Sequence, residues 1–148
     1  MKRTIRLTAT IPAKPKEVYE AWLDGKAHAA MTGGGKATSQ PRVGGKFTAW
    51  DGYISGKHVE LKPGKLIVQT WRSTEFAADC PDSRLEVRLA AAPTGTRVTL
   101  IHSETPESQT DDYKQGWKDF YFEPMKKYFA ERKAAAGKPA RPKKQAGR

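Results

Sequence analysis

The sequence has little cysteine and little histidine. Cys80 is the one cysteine, which excludes an internal disulfide framework. His28, His58 and His102 are widely scattered, and no CxxC or HExxH spacing marks a structural zinc. No apolar run approaches the ~20 residues of a membrane-spanning helix. The N-terminus enters a strand pattern at once, so neither a signal peptide nor a membrane span is expected, and the cytoplasm is the expected compartment. Acidic residues are missing from the end of the chain. From Lys133 onward, Lys133, Lys138, Arg141, Lys143, Lys144 and Arg148 supply six of the net +11 charges. The part before them is only mildly basic, which gives no compositional argument for a specific nucleic-acid partner. The segment 133–148 has no aromatic to stack on bases and reads as a solubilising, disordered tail.

What is present fits one domain, residues 1–132 of a 148-residue chain. The aromatic residues run from Tyr19 to Phe129, so the core material ends before the tail. Residues 3–11 alternate, with Ile5, Leu7, Ala9 and Ile11 on one side, as in a strand with one wet face. Pro15 suits the first turn of a helix, and Val18, Tyr19, Trp22 and Leu23 form an apolar helical stripe. A glycine-rich stretch follows, with a short strand at Lys36–Ser39. Strand patterns return at 46–50, 53–61, 65–73, 84–90 and 96–103. Asp51-Gly52 predicts a two-residue hairpin loop, and Pro63-Gly64 and Pro93-Thr94-Gly95 predict further turns. Ser108 with Asp111 predicts a capping box opening a long last helix. On a 3.6-residue period Tyr113, Gly116, Trp117, Phe120, Tyr121, Pro124 and Tyr128 share a face, with a kink expected at Pro124. The helix is expected to fade over Ala134–Ala136.

A sheet with one apolar face needs a cover, and the last helix is the element long and aromatic enough to provide it. The predicted fold is therefore α+β: a helix-grip arrangement of six or seven curved antiparallel strands around a long C-terminal helix.

The run Gly44-Gly45-Lys46-Phe47, then Trp50-Asp51-Gly52-Tyr53-Ile54-Ser55-Gly56, then Leu61-Lys62-Pro63 and Ile67-Val68-Gln69-Thr70-Trp71-Arg72 resembles the activator of Hsp90 ATPase homologue family. So does Gly116-Trp117-Lys118-Asp119-Phe120-Tyr121-Phe122-Glu123-Pro124-Met125. The family belongs to the START-like (SRPBCC) superfamily, and the resemblance covers roughly residues 3–130. It implies a helix-grip (Bet v 1-like) fold with a pocket between sheet and last helix. Superfamily pockets of this kind hold apolar ligands, and some members are enzymes. In the eukaryotic co-chaperone this fold is the C-terminal of two domains.

Strand parity and helix phase name the expected lining of that pocket: Phe47, Trp50, Trp71, Leu85, Val87, Leu100, His102, Trp117, Phe120 and Tyr121. The rings read first as core, since large aromatics bury area with or without a ligand. His102 shares a strand face with Val98 and Leu100, so it reads first as a satisfied core histidine and second as a ligand contact. Gly33-Gly34-Gly35 lacks the spacing and context of a phosphate loop and reads as a connection beside the pocket mouth. Cys80 has no adjacent base to activate it. No catalytic constellation is legible and no cofactor is implied. The expected role is non-enzymatic: binding a small apolar ligand, or a chaperone or other protein partner, as a monomer or weak dimer. The alternative is a cyclase- or hydrolase-like enzyme using His102 with Tyr53 or Tyr121, provided those groups converge in one cavity.

Overall fold

The computed structural model describes residues 2–137, with side chains for residues 4–133. Seven strands form one antiparallel sheet: β1 Lys2–Ile11, β2 Thr38–Ser39, β3 Lys46–Ala49, β4 Ile54–Lys62, β5 Leu66–Ser73, β6 Ser83–Ala92 and β7 Gly95–Pro106. Their spatial order is β1-β7-β6-β5-β4-β3-β2, so β1 crosses over to the far edge and every other neighbour is sequential. Helices α1 Pro15–Leu23 and α2 Gly25–Thr32 fill that crossover. The chain closes with α3 Thr110–Gly116, a π-helical segment Trp117–Phe122 and α4 Glu123–Gly137. This is the helix-grip architecture read from the sequence.

Period-two alternation places the core. Leu85, Val87 and Leu89 of β6 pair across to His102, Leu100 and Val98 of β7, and all six side chains are buried. One strand departs from simple parity. The β4–β5 register shifts between His58 and Glu60, a bulge that moves one residue out of step. His58 is therefore buried and Leu61 still packs against the core, although an unbroken strand would point them to opposite faces.

The Asp51-Gly52 signal marks the right place but the wrong loop. Ala49 pairs with Ile54, so the connection spans the four residues 50–53. Trp50, Asp51 and Gly52 have φ of 56°, 59° and 89°. Left-handed backbone at a tryptophan is rare and needs support. Asp51 provides some: its N–H donates to the Lys36 carbonyl at 2.9 Å, and its Oδ1 accepts from the Lys36 N–H at 2.8 Å. Gly34 provides the rest, because a Cβ there would lie 2.4 Å from the Trp50 ring.

The last helix also departs from the sequence reading. Ser108 lies in a 3₁₀ turn, Glu107–Gln109, and no side chain caps α3. Pro124 makes no sharp kink, because the turn before it is already wide. The Glu123 N–H donates to Lys118, five residues back. The buried residues are Trp117, Tyr121, Phe122, Met125 and Phe129, while Phe120 is 57 % exposed. A four-residue recurrence drifts by about 40° per step on a 3.6-residue helix, and the wider π turn absorbs that drift. The uniform period used for the sequence reading therefore put Phe120 on the wrong face. Helix α4 runs through Gly137, past the expected fading point, and Lys138–Arg148 of the expected tail lie outside the described residues.

Gly34→Ala is expected to displace the Trp50 ring and destabilise the fold by about 1–3 kcal/mol. Urea unfolding followed by tryptophan fluorescence measures this, and an unchanged midpoint and emission maximum would contradict the support assigned to Gly34.

Candidate functional site

The underside of the last helix is wired to its surroundings through tryptophan, tyrosine and histidine. Trp117 Nε1 donates to His102 Nδ1 at 3.1 Å. That leaves His102 Nε2 as the protonated nitrogen, and it donates to Ser83 Oγ at 2.7 Å. Ser83 Oγ in turn donates to the Trp71 carbonyl at 2.6 Å. One turn further along, Tyr121 Oη donates to His28 Nε2 at 2.7 Å and accepts from Trp50 Nε1 at 3.2 Å. His28 Nδ1 donates to the Trp22 carbonyl at 3.0 Å, which fixes its tautomer. His58 repeats the pattern on β4. Its Nδ1 accepts from Gln69 Nε2 at 3.2 Å and its Nε2 donates to Ser39 Oγ at 3.0 Å, while Gln69 Oε1 accepts from Trp22 Nε1.

Burial decides the charge state of these rings. Desolvation pushes His28 down to about 4, against a smaller opposing effect of the Trp22 carbonyl. It pushes His102 down to about 3 and lowers His58 as well. All three are neutral hydrogen-bonding rings at pH 7. Burial likewise drives the Tyr121 hydroxyl upward, so it serves as a hydroxyl and not as an anion.

Beside this network a cavity of about 460 Å³ opens between β4, β5 and the last helix. Trp50, Tyr53, Ile54, Trp71, Tyr113, Trp117, Phe120 and Tyr121 wall it, Gly116 leaves a gap in the helix surface, and Glu75, Gln109 and Asp112 supply its polar groups. The Tyr53 hydroxyl donates to Glu75 Oε2 at 2.5 Å. Tyr113 is pushed up to about 12, chiefly by burial and then by Tyr53. Among the described residues no group of three or more His, Cys, Asp or Glu is placed to hold a metal ion.

The ten residues expected from sequence divide in two. Trp50, Trp71, Trp117, Phe120 and Tyr121 come together around the cavity. Phe47, Leu85, Val87, Leu100 and His102 are buried but do not line it. Phe47 stacks on His58 at 5.5 Å and meets Trp71 at 5.8 Å, while the three aliphatics belong to the sheet core. His102 has both nitrogens committed and no exposed surface. It does not join Tyr121, whose hydroxyl goes to His28. Parity correctly turned these side chains inward, but the inward face of a sheet is larger than the part of it facing a void. Sequence reasoning missed Ile54, Glu75, Gln109, Asp112, Tyr113 and Gly116 as lining. Tyr113 and Gly116 lay on its aromatic helix face, whereas Glu75 and Gln109 sit in irregular connections that carry no periodic signal.

The family model described as Activator of Hsp90 ATPase homolog 1-like protein matches residues 12–130. The human activator of 90 kDa heat shock protein ATPase homolog 1 is 28 % identical over 125 residues, covering 84 % of this chain and 36 % of that protein. The Dictyostelium discoideum activator homolog is 25 % identical over 131 residues, covering 86 % of this chain and 33 % of that one. The chain thus spans about a third of the length of these curated relatives. An HSP90 activator structure from Plasmodium falciparum superposes with a TM-score of 0.72 at 21 % identity, covering 92 % of this chain and 97 % of that one. At that identity the likeness concerns the fold.

The buried rings predict a pH dependence of stability. Between pH 6.5 and about 4 an unfolded histidine binds a proton that the folded His28 and His102 refuse. The unfolded state then holds more protons, and stability falls as pH drops. The expected slope is about 1.4 kcal/mol per pH unit for each histidine. Urea titrations at pH 5 to 6, above the usual carboxylate range, should show the decline, and His102→Gln should flatten it. A slope unchanged by that substitution would refute the assignment.

Proposed function

The chain belongs to the Activator of Hsp90 ATPase homolog 1-like family, and from that premise we propose that it is a non-enzymatic binding module for a small apolar ligand held under its last helix. One observation carries this reading. Gly116 has helical backbone angles, φ −62° and ψ −39°, and lies within the continuous last helix. Glycine there costs about 1 kcal/mol relative to alanine. No steric demand explains it, since a Cβ at Gly116 would meet only the Phe120 side chain, at 3.7 Å. What the missing side chain spares is the cavity it lines. Aromatic walls with a few polar groups at one side match the usual make-up of a small-molecule site. The enzyme alternative is not favoured, because His102 is walled into the core and Tyr53 is committed to Glu75.

A second reading, association with a heat-shock protein 90 chaperone, is supported by the names of the curated relatives. It concerns a surface, and it is compatible with the ligand reading.

Two measurements separate these readings. N-phenyl-1-naphthylamine, an uncharged fluorescent probe, should bind saturably at one site per chain. Gly116→Leu should weaken it about tenfold or more while leaving the unfolding midpoint unchanged or raised, by filling the void and improving helix propensity. No saturable binding to the unmodified protein, or full binding to a folded Gly116→Leu protein, would remove the cavity reading. For the second reading, the purified chain should raise the ATPase rate of heat-shock protein 90 in a concentration-dependent way, and an unchanged rate at saturating chain would remove it.

A further inference from the structure

Four tryptophans crowd the site, and three have a partner for the indole N–H. Trp22 donates to Gln69, Trp50 to Tyr121 and Trp117 to His102. Trp71 does not. It is 2 % exposed, and its Nε1 is the one buried side-chain nitrogen or oxygen without a hydrogen-bond partner among the described residues. The neighbouring Tyr113 hydroxyl interacts with the indole without completing a hydrogen bond. Both residues line the cavity, so the unpaired donor sits at its wall. A buried donor with no acceptor carries a standing desolvation penalty, which an acceptor brought by a ligand removes.

The charge on the lining is one-sided. Glu75 and Asp112 contribute carboxylates, and no lysine or arginine is among the lining residues. Both carboxylates act electrostatically on the Tyr53 hydroxyl and raise its pKa, so their field reaches into the space between these rings. A ligand carboxylate entering here would meet like charge and no cation to pair with.

We propose that the cavity selects an uncharged, flat apolar molecule bearing a carbonyl-type oxygen, that this oxygen accepts the Trp71 indole N–H, and that Glu75 and Asp112 turn carboxylates away. The proposal rests on the cavity reading and adds the polarity of its occupant.

Three probes of one shape test it by displacing N-phenyl-1-naphthylamine: 2-acetonaphthone, 2-ethylnaphthalene and 2-naphthoate. The ketone should bind about tenfold more tightly than the carboxylate, and Glu75→Gln with Asp112→Asn should narrow that gap. Trp71→Phe should weaken the ketone about tenfold and leave 2-ethylnaphthalene within a factor of about three. In the unmodified protein, the indole N–H resonance lost in Trp71→Phe should move downfield on adding the ketone and not on adding 2-ethylnaphthalene. If Trp71→Phe does not fold, the charge-pair variant and the spectrum of the unmodified protein decide the matter, with the resonance identified by elimination from conservative substitutions of the other three tryptophans. Equal binding of ketone and carboxylate, or an indole resonance unmoved by bound ketone, overturns the proposal while the cavity reading stands. Failure of the fluorescent probe itself to bind overturns both.

Discussion

The structure depends on how the last helix is held down. A helix that only laid apolar side chains on a sheet would find many nearly equivalent seats. Here Trp117 and Tyr121 each spend a polar atom on a buried histidine, one on β7 and one on α2. Each bond is worth only about 0.5–1.5 kcal/mol net. Misplacing the helix costs more, because it would leave buried donors and acceptors unpaired on both sides. The rings around these bonds add contact as well as direction. Trp117 lies 5.0 Å from Trp71 and 4.8 Å from Tyr121, centroid to centroid. Directional pairing therefore fixes the seat, and hydrophobic burial supplies most of the adhesion.

Fixing the helix at two points also allows the space beside it to stay open. Close packing is the default for protein interiors, and voids are costly. A cavity survives where neighbouring elements are held apart by contacts elsewhere. The Trp50–Tyr53 connection with its left-handed backbone forms one wall, and the helix at Gly116 forms another. Neither wall can collapse inward without breaking bonds already described: Trp50 to Tyr121 on one side and Trp117 to His102 on the other.

Much of this was legible in the sequence, because alternation and helical phase are local properties. Val98, Leu100 and His102 point inward for the same reason that Arg97 and Thr99 do not. The family resemblance added the order of elements, including the crossover of β1. What escaped was whatever depends on departures from regularity. The bulge at His58–Glu60 and the π turn at Trp117–Phe122 each change a period partway through an element. The partnership of Tyr121 with His28 joins residues 93 apart and has no sequence signature. The cavity boundary escaped for a related reason: parity says which face a side chain takes, not whether anything fills the space in front of it.

The π turn has a bearing on which changes of chain length this protein tolerates. Each residue of an ordinary helix advances about 100° around its axis. Deleting one residue from Trp117–Phe122 would restore a regular pitch, and yet it would swing Met125 and Phe129 out of the core as a body. The same deletion in the irregular stretch between β5 and β6 would shorten a connection and leave the seating of both strands intact. Six residues in the middle of the most regular-looking element are thus the place where the length of the chain is most strictly set.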